Sequence, residues 1–154
     1  MNRENDALGI QVAGNHYKGM AIQQVEFAMA NHYDTCAANI LKYVSRHRAK
    51  GGRSDIEKAL HYVKLRQQLT SGASMIERMV IYLRGETSWG RWRKNNGSTI
   101  AMVTYVQANG IYGYEMDALL ALETWLEHGA CSDREALETA LQKILNQYDA
   151  GFEQ

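Results

Sequence analysis

The stretch NILKYVSRHRAKGGRSDIEKALHYV, residues 39–63, decides the fold. Ile40, Leu41 and Val44 before a glycine pair, and Ile56, Ala59, Leu60 and Val63 after it, recur at helical spacing. Two amphipathic helices therefore meet at Gly51-Gly52, because glycine tolerates the left-handed exit that ends a helix. The spacing predicts a helical hairpin over about 34–70, opened by Asp34 as an N-cap. Ser54 and Glu57 match a capping box for its second helix. Lys42, Arg46, Arg48, Lys50, Arg53 and Lys58 crowd the hairpin, with only Asp55 and Glu57 opposing them.

Outward from the hairpin the helical reading continues. The chain of 154 residues contains no proline, so helices run unbroken and turns depend on glycine. Residues 20–33 read as a helix with Ile22, Val25, Phe27, Met29 and Ala30 as its apolar stripe. Further helices are expected over 74–84, 98–109 and 115–128, and a last one opens on a second capping box, Ser132 with Glu135. GETSWGRWRKNNG, residues 85–97, is polar and glycine-punctuated, and reads as a loop or linker. The expectation is an all-α fold, a compact bundle of about six or seven helices. Residues 1–14 form a flexible N-terminus, 15–84 the core that carries the hairpin, and 98–154 an acidic C-terminal helical region.

The net charge is zero, but the charge is polarised. Thirteen Lys and Arg against four Asp and Glu lie between Lys42 and Lys94, whereas two against nine lie from Glu115 onward. Such a dipole steers an anionic ligand to one face, or lets basic and acidic faces of neighbouring subunits meet. A duplex nucleic acid is disfavoured as a partner, because the acidic third repels it. No apolar run reaches membrane-span length, and MNRENDALGIQVAG lacks the apolar segment of a signal peptide, so no membrane association is expected. Cys36 and Cys131 have neither C-x-x-C nor zinc-ligand spacing, and suit reduced core thiols of a cytosol. P-loop, His-Glu-x-x-His and Gly-x-Ser-x-Gly patterns are absent.

Asn39, Lys42, Tyr43 and Arg46 fall at i, i+3, i+4 and i+7 and share a helix face, as do Asp55, Lys58 and Tyr62 on the partner helix. Cations beside an amide and phenols suit a phosphate with a sugar or base. Arg46 offers a planar fork, and Lys42 or Lys58 a mobile point charge. Asp55 either orients Lys42 or Arg46, or binds a magnesium ion that carries phosphates. A solvated face with ordinary salt bridges is the competing reading. Trp89 and Trp92, set among Arg91, Arg93 and Lys94, suit either base stacking or a packing anchor.

His16-Tyr17, Asn39-x-x-Lys42-Tyr43-x-x-Arg46, the Lys50-Gly51 turn and Asp55-x-x-Lys58-Ala59-x-x-Tyr62 together resemble a bacteriophage family. That family is labelled as a domain of unknown function and includes the Walker-less nucleotide kinase of T-seven type coliphages. The likeness covers about residues 15–66. It implies a phage protein of the host cytoplasm that acts on nucleotides, and a homo-oligomer. It also implies site roles for His16, Tyr17, Asn39, Lys42, Tyr43, Arg46, Asp55, Lys58 and Tyr62 in binding nucleotide or phosphate. A P-loop-less deoxynucleoside-monophosphate kinase would use ATP with Mg2+. The alternative is a non-enzymatic sponge that sequesters a nucleotide-derived host immune signal, of cyclic nucleotide or cyclic ADP-ribose type, and so counters antiphage defence.

Overall fold

The structure, a computed structural model, describes residues 19–71 and 100–151. Among the described residues there are six helices and no strand, as the sequence predicts. They are α1 (Gln24–Ala30), α2 (Thr35–Arg46), α3 (Gly52–Ser71), α4 (Met102–Ala108), α5 (Tyr114–His128) and α6 (Cys131–Asp149). The expected flexible N-terminus, the 74–84 helix, the 85–97 loop and both tryptophans within it lie outside the described residues. So do His16, Tyr17 and Ser98. No helix among the described residues is long and apolar enough to cross a membrane.

α2 packs along α3, and α5 along α6; α3 then joins the pairs by lying against α6. α1 rests on α2, and α4 on α5. The core between them holds Ile40, Leu41 and Val44 of α2 with Ile56, Ala59 and Val63 of α3, all buried. Leu119, Leu122, Trp125 and Leu126 of α5 and Leu137, Leu141, Ile144 and Leu145 of α6 fill the other side. Each fully buried aliphatic side chain contributes about 2 kcal/mol through removal from water, which is what holds six short helices together.

Polar contacts fix the helix ends. Asp34 caps α2, accepting from the Ala37 amide at 2.8 Å through one oxygen and from Arg66 Nε at 2.8 Å through the other. The Arg66 guanidinium lies 4.6 Å from the Trp125 ring, so one arginine ties α2, α3 and α5. The Asn109 side chain clips the chain before α1, accepting from the Ile22 amide at 3.2 Å and donating to its carbonyl at 2.9 Å. α5 ends on Gly129 in the left-handed conformation at φ 69°, as its position predicts.

Three local expectations are corrected. α2 stops at Arg46 rather than at the glycines, and residues 47–51 form the turn. Neither expected capping box opens its helix. α3 begins two residues before Ser54, at Gly52, whose φ of 52° suits glycine, and Glu57 pairs with Arg53. α6 begins at Cys131 with Ala130 as its cap residue, and Glu135 lies against Arg134. α1 is half the expected length. Only one of its faces can turn inward, and Phe27 takes it by packing on Tyr33 and Tyr105. Val25 and Met29 are consequently 54% and 71% exposed.

Candidate functional site

The two polar faces of the hairpin do converge. Asp55 sits at the start of α3, where its carboxylate reaches across to α2 and is fully buried. It accepts from Arg46 Nε at 2.9 Å and from Lys58 Nζ at 3.0 Å. Burial pushes the Asp55 carboxyl up, but the hydrogen bonds and charges of Arg46 and Lys58 outweigh it and hold the group below its ordinary range. Asp55 is thus an anion held between two cations, Arg46, one of the two it was expected to orient, and Lys58; Lys42 is not among its partners. Both of its oxygens are engaged.

Gly51 makes this possible. A Cβ at that position would collide with the Asp55 carboxylate, so only glycine lets the turn close over it.

Tyr43 is the centre of the cluster. Lys42 Nζ, Arg46 Cζ and Lys58 Nζ lie 4.7, 5.0 and 5.5 Å from its ring centroid. The ring also stacks on Tyr62 at 5.9 Å and 29°. Three cations around one phenol mark a strongly positive patch, in which the ring quadrupole offsets part of their mutual repulsion. With its surroundings filled in this way, Tyr43 serves as a platform for cations rather than as an open stacking face. Asn39 completes α2's face: it donates to the Thr35 carbonyl at 2.9 Å and accepts from Lys42 Nζ at 3.1 Å, which sets the direction of that lysine.

Beside the cluster, α1 and α2 enclose a groove of about 410 Å³. Val25, Ala28, Met29 and Ala38 give it apolar walls, and Asn39 and Lys42 stand at its polar side. Lys42 therefore belongs both to the groove and to the cation cluster. Of the nine sequence-derived site residues, the seven described ones come together on one side of the hairpin.

A second polar cluster escaped the sequence reading. His47 is buried in the turn, its Nε2 3.1 Å from Glu115 Oε1 and its Nδ1 2.6 Å from the Tyr148 hydroxyl. Arg48 Nε donates to the same Glu115 oxygen at 2.7 Å. Burial pushes Glu115 up, yet the bonds from His47, its own backbone and Arg48 pull it down to about 2. The partners lie 68 and 101 residues from His47, so no local pattern announces them.

An all-α frame thus presents a cation-ringed hairpin face beside an apolar groove. In sequence, residues 12–64 match the model of a family described as a protein of unknown function, DUF3310. That span contains α1, α2 and the first part of α3, and with them all seven converging residues. No curated protein and no solved structure matches.

Proposed function

We propose that this chain is a phage nucleotide-binding protein and that the α2–α3 face receives the ligand's phosphate. The observation that carries this reading is the set of Lys42, Arg46 and Lys58 around Tyr43, with Arg46 and Lys58 held by the buried Asp55 carboxylate and Lys42 directed by Asn39. Charges oriented before the ligand arrives cost little reorganisation on binding, which is what an anion site requires. The Arg46 fork and the lysine point charges match tetrahedral phosphate oxygens.

Two activities are consistent with such a site. One is transfer of a phosphoryl group from ATP, with Mg2+, to a deoxynucleoside monophosphate, where the three cations would stabilise the charge spread over the transferring group. The other is sequestration, in which a nucleotide-derived signal of the host is held unchanged. Sequestration asks only for the oriented cations and for the burial that the adjacent groove offers. Incubation with ATP, Mg2+ and each deoxynucleoside monophosphate, resolved by chromatography, separates the two. A nucleoside diphosphate product establishes the kinase reading, and its absence with every pair rules that reading out. Failure of nucleotides to raise the melting temperature would overturn binding itself, because a ligand of the native state must raise it.

A further inference from the structure

The α1–α2 groove has one feature that simple packing does not require. Gln24 lines it and is only 5% exposed, and among the described residues its carboxamide donates to the thioether sulfur of Met20, at 3.0 Å. A thioether is a weak acceptor, and a buried amide normally finds stronger partners. The walls around it are the apolar side chains of Val25, Ala28 and Met29. An amide set in an apolar slot is how a protein reads the edge of a flat heteroaromatic ring: the walls take the ring faces, and the amide pairs with a donor–acceptor edge. The groove's volume suits a ring with its sugar. Its polar side is Lys42, directed by Asn39, which leads on to Arg46 and Lys58.

We infer that the groove seats the nucleobase of the bound nucleotide, with Gln24 selecting the base and Lys42 taking the phosphate. This assignment rests on the phosphate reading above, and it moves the base from Tyr43 and Tyr62 to α1. Bound there, the ring would cover the exposed side chains of Val25 and Met29.

Isothermal titration of the full chain with the four common deoxynucleoside 5′-monophosphates and with deoxyribose 5-phosphate tests it. At least one nucleotide is expected to bind about tenfold or more tightly than the sugar phosphate, the margin a well-filled apolar slot supplies. Met29→Ser, a neutral change at an exposed position that leaves the core intact, should shrink that margin while sparing the sugar phosphate. Gln24→Leu should narrow the spread among bases, whereas Lys42→Ala should weaken every ligand alike. Equal affinity for nucleotides and sugar phosphate, or a margin untouched by Met29→Ser, overturns the groove assignment and leaves the phosphate reading standing. Binding of none of these ligands overturns the groove assignment and, with it, the monophosphate form of the phosphate reading.

Discussion

The carboxylate of Asp55 occupies the space that a β-carbon on Gly51 would need. The turn and the anion that organises the cations are therefore one unit, and neither residue can change alone. Gly51→Ala should destabilise the fold by about 2 kcal/mol through overpacking, and should weaken nucleotide binding as Asp55 is displaced. Chemical denaturation and titration of the same variant measure both, and an unshifted unfolding midpoint would contradict the close approach.

Lys42 and Arg46 share a helix face but differ in what they support. Arg46→Ala leaves the buried Asp55 with Lys58 alone, so a loss of about 3 kcal/mol in stability is expected. Lys42 pairs with a neighbouring amide and the Tyr43 ring, so Lys42→Ala should cost less than about 1 kcal/mol while reducing nucleotide affinity. Thermal melts with and without ligand would show this division, and equal melting losses for the two variants would refute it.

Acid should expose the role of Glu115. Its carboxyl is pulled down to about 2 in the folded protein from an ordinary 4.5. A depressed carboxyl contributes stability that is complete above its unfolded value and is lost as pH falls through the folded one. The window is thus about pH 4.5 to 2, and the amount at stake is on the order of 3 kcal/mol. Denaturation midpoints across that range should fall steeply for the native chain and more gently for Glu115→Gln. Parallel curves would show that the His47–Glu115 contact stabilises nothing.

The two thiols should separate kinetically. Cys131 is exposed at the first position of α6, whereas Cys36 is buried and its thiol is pushed up by burial and by the nearby Asp34 charge. Alkylation followed by mass spectrometry should yield one fast adduct, on Cys131, and one that forms only on unfolding. Rapid double labelling of the native chain would contradict the burial of Cys36.

Much of this architecture was readable from residue order because it is local. The α2–α3 hairpin, the Asp34 cap, the Gly129 exit and the shared faces of Lys42, Arg46 and Lys58 all follow from spacings of a few residues. Helix starts were less legible, since Ser54 and Ser132 carry the right chemistry but tertiary packing begins their helices earlier. In α1 the apolar residues point both ways, and only the Phe27–Tyr105 contact, formed across the fold, decides which face turns in. His47, Glu115 and Tyr148 were invisible for the same reason: each is ordinary in its own neighbourhood.

Tyr148 and Asp149, successive residues at the end of α6, both reach the hairpin, the first to His47 in its turn and the second to Arg53 at the start of α3, at 3.1 Å. The family match stops at residue 64, so the segment that carries the converging side chains is fastened by residues beyond the match. A ribosome making this protein must finish α6 before the turn over Asp55 is secured. The hairpin is therefore not a portable module: transplanted alone, it would carry the charges without the clasp that fastens its turn to the rest of the fold.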